Sequence, residues 1–469
     1  MTISKSGLIP KSKVYSVEIS VPAEHPLIKL MLTLPWEELY TAIETDLIKT
    51  PKGKCFTGRP LQIRTHLGAY ALQHVYNLTD RKTEYMLKDN AAAQIFCGVH
   101  DVEKWRSIDH TKIETFRSRL TPETQVKMNN LILLKATSLG FADPSKMDVD
   151  STVQEANMAY PSDVNMLKKL FIKCGKIRSY IAKHIPYPSE TAEQLKTRVK
   201  EVSSLVKEYL FTKKDKESAE YKKKEVLKSI VEKVSSDVYG LLTMPIHEED
   251  VRKLPWNIKE SLMQIRNKAK IFIAGVHFFI ETNTRLEEKP MSFHLNEVAC
   301  FNKGKKYGKP IQFGRAFQLG RIGGNFLLCG SSTDVRMEDK RSVKTMIDLH
   351  QKLFGDGVLE SFGADKGYFS NANKKYLSTM KDLKEICLQK PALDISALED
   401  IQKEVYTRLA DRRSGVEPLI GHVKHGGQLG KSRMKKDSTS LAAGYAAVLG
   451  FNLRQMIRHI QGKKILAMT

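Results

Sequence analysis

Arg413-Ser414-Gly415-Val416-Glu417-Pro418-Leu419-Ile420-Gly421-His422-Val423-Lys424 sets one acid between two fixed cations. Arg413 lies four residues before Glu417 and Lys424 seven after it, offsets that share one face of a helix. Pro418 suits the first turn of a helix, so Glu417 is expected at a helix entrance and Arg413 in the turn before it. A carboxylate framed by arginine and lysine suits a metal ion that also holds a phosphate. The acid takes the metal and the cations take phosphate oxygens. Taken alone, the segment reads more simply as an exposed helix with two ion pairs, and the rest of the chain has to decide.

Two acidic anchors lie upstream. Met147-Asp148-Val149-Asp150-Ser151-Thr152-Val153 is a short β-leaning run. Asp148 and Asp150 would share one face of a strand, which makes Asp148 the rival of Asp150. In Val358-Leu359-Glu360-Ser361-Phe362-Gly363-Ala364-Asp365-Lys366-Gly367-Tyr368 an apolar run ends in an acid and Gly367 turns the chain. Asp150, Asp365 and Glu417 make a set of three carboxylates, enough to hold two divalent ions roughly 4 Å apart on a phosphodiester. The expected cofactor is therefore Mg2+ or Mn2+, two ions per site. Arg413, Lys424, Lys366, Lys431 and Arg433 are the expected phosphate and DNA contacts. The stretch Gly426-Gly427-Gln428-Leu429-Gly430-Lys431-Ser432 is not a nucleotide-binding loop, because His425 stands where that motif needs glycine. With Arg433, Lys435 and Lys436 following, it reads as a basic loop that tracks DNA.

The elements arrange themselves around these acids. Residues 26–140 carry apolar residues at helical spacing, and Thr121-Pro122-Glu123 reads as a helix start. Asp163 to Thr284 is a second helical block rich in lysine and glutamate. From Glu297 the texture changes to short β runs broken by glycine: 298–301, 311–313, 316–319 and 325–329. Helix 339–353, strand 358–362, helix 371–380, strand 385–388 and helix 397–410 follow, with a closing helix over 441–457. Strand with acid, β, β, helix, strand with acid, strand, helix with acid is the order of a ribonuclease-H-like core. The expected architecture is an α/β ribonuclease-H-like catalytic core with a helical N-terminal domain (1–140) and a large helical insertion (164–290). The first core strand lies in 141–163, the rest of the core in 291–460 and a tail in 461–469.

Asp150-Ser151-Thr152-Val153, Ala364-Asp365-Lys366-Gly367-Tyr368, and Arg413…Glu417…Lys424 followed by Asn452-Leu453-Arg454 resemble the DDE transposases of bacterial insertion sequences. Gly58-Arg59-Pro60, the run from Leu67 to Tyr76, Asn77-Leu78-Thr79-Asp80-Arg81, and Phe116-Arg117 after Asp109-His110-Thr111 resemble their InsH-type N-terminal domain. Position 410 is Ala410, where many such proteins carry tyrosine. The resemblance favours Asp150 over Asp148, because the family's acid directly precedes a small residue and a threonine. It implies cleavage at transposon ends, transfer of the freed 3′-hydroxyl into target DNA, and a homodimer assembled on DNA. The place of action it implies is the bacterial cytoplasm, at the nucleoid. A nuclease or resolvase that cuts without joining, and a domesticated DNA-binding protein, are the competing readings.

Composition agrees with a polyanionic partner. The 469 residues carry a formal net charge of +23, and clustered Lys and Arg gain by releasing counterions from nucleic-acid phosphates. No apolar run approaches the roughly 20 residues a membrane span needs, and the N-terminus has no apolar signal core. The six cysteines form no Cys-x-x-Cys pair, so neither a zinc site nor a disulfide framework is indicated.

Overall fold

The computed structural model describes residues 19–48, 62–99, 107–184, 192–212, 217–244, 248–302, 311–330, 335–388, 390 and 400–462. The chain divides into two compact units. Unit 1 comprises Met1–Gln154, Ala316–Ser432 and Leu441–Thr469, and unit 2 comprises Glu155–Arg315 and Arg433–Ser440. Gly58-Arg59-Pro60 and the basic turn 303–309 lie outside the described residues.

Unit 1 opens with the helices α1 (Pro26–Thr33), α2 (Trp36–Ile48), α3 (Ile63–Val75), α4 (Asp80–Asp89), α5 (Ala91–Phe96), α6 (His110–Arg119) and α7 (Pro122–Ser138). Their starts are written locally. Thr79, Asn90, Asp109 and Thr121 each accept a backbone N–H of the first turn, and Pro122 fills the first helical position of α7. These helices bury their apolar faces in the same core as the strands, with Ile132, Leu133 and Ala136 of α7 grouped with Phe326, Leu328 and Val343. The compact unit therefore runs past the expected domain bound at residue 140.

The sheet of unit 1 has the order β4-β3-β1-β5-β6, formed by β1 (Lys146–Glu155), β3 (Ile311–Ile322, of which residues from 316 belong here), β4 (Phe326–Gly330), β5 (Ser361–Ala364) and β6 (Glu385–Leu388). β1 and β5 are parallel, as are β5 and β6, while β3 and β4 are antiparallel. The helices α13 (Asp339–Phe354), α14 (Asn371–Ser378), α15 (Asp400–Ser414), α16 (Val416–His425) and α17 (Asp437–Ile460) complete the unit, α17 beginning in unit 2. Two sequence expectations shift. The runs at 311 and 316 join into one strand because Gly314 pairs with Ala299 instead of breaking the chain. The strand expected at 358–362 forms at 361–364, after Gly357 turns the backbone at φ 80°.

Unit 2 is built from the helices α8 (Asp163–His184), α9 (Ala192–Phe211), α10 (Glu217–Leu242), α11 (Glu248–Lys253) and α12 (Trp256–Thr282). Leu170, Phe171, Ile230, Val234, Ile265 and Phe272 form its core. Buried Asp237 accepts hydrogen bonds from Arg178 of α8 and from Arg198 of α9, so the charges of three helices are paired inside the bundle. β2 (Ala299–Asn302) pairs antiparallel with the first residues of β3, Asn302 opposite Ile311. Among the described residues, no helix is long and apolar enough to cross a membrane.

Candidate metal and phosphate site

Strand alternation divides β1 into two faces. Met147 and Val149 are fully buried in the core, and Asp148 and Asp150 point to the opposite face. The β1–β5 register pairs Asp148 with Gly363 and Val149 with Ala364. One step further along both strands, Asp150 comes beside Asp365, whose backbone remains extended at φ −72° and ψ 166°. Parallel neighbours lie about 4.8 Å apart, so the pairing sets the Asp365 carboxylate, at the end of β5, beside Asp150 in the middle of β1.

Asp148 and Asp150 share a face but not a role. Asp148 is fully buried, and both of its oxygens accept from the Arg412 guanidinium, Nη2 at 2.8 Å and Nε at 3.1 and 3.2 Å. Arg412 also donates to Ser361 Oγ at 2.7 Å, and Arg321 donates to the Arg412 carbonyl at 2.8 Å. Burial nonetheless raises the Asp148 carboxyl above its usual range, against the pull of Arg412. Gly363 is glycine because a β-carbon there would strike Asp148 Oδ1, and Gly415 because one would strike Arg321. These residues tie the last turn of α15 to the sheet.

Asp150 is part-buried and accepts the Ser151 N–H at 2.7 Å. Burial lifts its carboxyl to about 6, with Asp365 and Asp339 adding like charge and the Ser151 N–H and Arg413 opposing. Arg413, one residue after the buried Arg412, faces the other acid: its Nη1 lies 3.7 Å from Asp365 Oδ1, and the Asp365 side chain is 51% exposed. Lys366 is exposed, and Tyr368, which closes the short 3-10 turn 366–368, is fully buried.

Glu417 is the second residue of α16 and exposed, with Pro418 after it, as expected at a helix entrance. Arg413 belongs to the last turn of α15, so it shares no helix with Glu417. Lys424 is half-buried in the last turn of α16. Lys431 is exposed in unit 1 and Arg433 exposed in unit 2. The structure thus brings together Asp150, Asp365 and Arg413. The carboxylates of Asp150, Asp365 and Glu417 do not all come within 4.8 Å of one another; among the described residues only Glu84, Asp109 and His110 do so. In that trio Glu84 is already engaged, by Lys88 Nζ at 2.6 Å and by the ring and backbone nitrogens of His110 at 2.8 and 3.0 Å.

Sequence reasoning missed Asp339, Gln318 and Arg412. Asp339 opens α13, and its Oδ2 lies 3.2 Å from where a β-carbon of Gly367 would stand. Only an acid at a helix start, Glu338-Asp339 before an amphipathic run, could have marked it. Other motif residues prove to be clamps. Asn452 is buried, accepts the Leu327 N–H at 2.9 Å and donates to Asn129 Oδ1 at 2.8 Å. Arg454 donates to the carbonyls of His74, Val75 and Gly426 at 3.0, 3.1 and 3.3 Å. In the N-terminal helices, Arg64 stacks 3.4 Å above the Trp36 ring and Arg117 pairs with Asp80, whereas Arg81, Lys82 and Arg119 are exposed.

Comparisons with known proteins bear on the same N-terminal region. Residues 15–119 match the family described as "Transposase domain (DUF772)". The chain is 28% identical over 116 residues to "Uncharacterized protein ORF8 in nfe locus" of Rhizobium meliloti, an alignment covering 24% of this chain and 56% of that relative. The chain thus spans little more than half the length of this curated relative. No solved structure matches. The transposase-domain match is confined to the N-terminal helices.

Proposed function

We propose that this chain is a DDE transposase with a ribonuclease-H-like catalytic core, acting on double-stranded DNA at transposon ends. The single observation that carries the reading is the β1–β5 register, whose last pair, Val149 with Ala364, is followed on β1 by Asp150 and at the end of β5 by Asp365. The transposase-domain match at residues 15–119 and the sheet order, with its parallel β1, β5 and β6, lend independent support.

The donor set fits a hard divalent cation. Asp150 and Asp365 offer carboxylate oxygens, and a cation would favour the charged form of Asp150, which burial and then the like charges of Asp365 and Asp339 disfavour. Asp150 and Asp365 would hold Mg2+ or Mn2+, and Glu417 enters as the third ligand on the sequence motif. When bound, two such ions activate an attacking oxygen and stabilise the leaving oxygen of a phosphodiester. Arg413, already beside Asp365, is placed to take a non-bridging phosphate oxygen and to offset charge there. Lys424, Lys366 and Lys431 would add cationic contacts to the DNA backbone from unit 1, and Arg433 is a separate DNA contact of unit 2. On this reading the enzyme works as a homodimer assembled on DNA, in the cytoplasm where its substrate lies.

The test incubates the full chain with DNA flanking its own gene, a supercoiled target and Mg2+. Cleavage at the element ends followed by joining to the target is the expected result. Cleavage without joining would replace the reading by a nuclease or resolvase. Binding alone would replace it by a non-catalytic DNA-binding protein.

A further inference from the structure

Behind Asp150 and Asp365 lies a buried hydrogen-bond relay. The Tyr368 hydroxyl donates to Gln318 Oε1 at 2.5 Å, and Gln318 Nε2 donates to Asp339 Oδ1 at 3.2 Å. Tyr368 is fully buried and Gln318 is 2% exposed. Asn373 Nδ2 donates to the carbonyls of Tyr368 and Lys340 at 2.8 and 2.7 Å, clamping the turn to the start of α13. The turn closes on itself through Tyr368 N–H to the Asp365 carbonyl at 2.9 Å.

Gln318 is the one member of this relay that both donates and accepts within it. A side-chain amide offers an acceptor and a donor in a fixed plane, and here the acceptor reads the tyrosine and the donor reads the acid. An apolar residue on β3 would have filled the same volume at no desolvation cost. What the amide adds is orientation, since it fixes the turn that begins at Asp365 relative to the carboxylate of Asp339. Asp339 in turn adds negative charge at Asp150.

We propose that Gln318 is a positioning residue of the metal site, holding the Asp365 turn and Asp339 in register with Asp150 through Tyr368. This rests on the metal-site reading above. Partners that orient metal-binding carboxylates typically carry ten- to a hundred-fold in metal affinity.

The experiment titrates Mn2+ into the full-length protein and follows free Mn2+ by electron paramagnetic resonance. Wild type, Asp365→Asn, Gln318→Met, Tyr368→Phe and the Gln318→Met/Tyr368→Phe double variant are compared. Tyr368→Phe keeps the ring in the core, so it guards against loss of fold in Gln318→Met, and thermal melts are run alongside. The expected result is roughly ten-fold weaker Mn2+ binding in each single variant. The double variant should be no weaker than Gln318→Met, because both act in one relay. Binding within two-fold of wild type in Tyr368→Phe and in folded Gln318→Met overturns the inference alone. Equal binding by wild type and Asp365→Asn overturns the metal-site reading, and this inference with it.

Discussion

Replacing Asp150 by Asn should make the metal-free protein more stable at neutral pH. The Asp150 carboxyl is raised from 3.8 to about 6, chiefly by burial. At ~1.4 kcal/mol per pKa unit this amounts to about 3 kcal/mol, an upper figure for the cost of keeping the charge there at pH 8. The sign follows from linkage: a raised folded-state pKa means that the native state binds the proton more tightly than the unfolded state. The group therefore costs nothing well below pH 3.8, where both states are protonated, and little at pH 4; its cost grows between pH 4 and 6 and is complete above 7. Asparagine keeps an oxygen to accept the Ser151 N–H, found at 2.7 Å. Each kcal/mol corresponds to about 2–4 °C for a unit of this size, so a rise of up to ~10 °C is expected at pH 8 and little at pH 4. The assay is a pair of thermal melts at each pH without divalent ions, then with Mg2+. Metal should narrow the gap by stabilising wild type. A variant that melts several degrees lower at pH 8, or shows the same shift at both pH values, would refute the argument that the buried charge costs stability.

The adjacent arginines give a second contrast. Arg412→Ala should cost about 3–5 kcal/mol or unfold unit 1, because it strands the fully buried Asp148, while Arg413→Ala, facing a half-exposed acid at 3.7 Å, should cost less than ~1 kcal/mol yet impair DNA cleavage. Melts and cleavage rates measured together check both. Gly363→Ala should destabilise by roughly 1–3 kcal/mol through its clash with Asp148 Oδ1, read as a lowered denaturation midpoint. A fragment of residues 1–140 should lack a cooperative melt and bind a hydrophobic dye, because Ile132, Leu133 and Ala136 pack in the core of the sheet; a sharp melt would show that the helices fold alone. DNA binding by the full chain should weaken steeply with salt, and Lys431→Ala and Arg433→Ala should each flatten that dependence.

How far the sequence could be read depended on how local each determinant was. The helix start at Thr121, the strand 385–388 and the helical entrance at Glu417 follow from caps, proline and periodicity, which act over a few residues. Preferring Asp150 to Asp148 needed the motif, since strand alternation puts both on one face. Only the packing shows that Asp148 is consumed by Arg412. That partner sits 264 positions away along the chain, and no spacing rule reaches so far. The same distance hid why Gly363 and Gly415 are glycines. Gln318 and Asp339 stayed invisible because a polar residue in a β run and an acid at a helix start are unremarkable until the fold brings Tyr368 to them. That unit 1 continues past residue 140 escaped the sequence for a related reason. Composition separates basic helices from strands, but the apolar face of α7 is completed by the sheet.

The central claim is that Asp150 and Asp365 mark a divalent-metal site for phosphodiester chemistry, and metal-directed cleavage of the protein's own backbone tests it most directly. The full chain is loaded with Fe2+, exposed to ascorbate and peroxide, and the fragments are mapped by mass spectrometry. Cuts close to residues 150 and 365, suppressed by excess Mg2+ and lost in Asp150→Asn, are the expected result. Cuts confined to the neighbourhood of Glu84, Asp109 and His110, or a pattern unchanged in Asp150→Asn and Asp365→Asn, would contradict it.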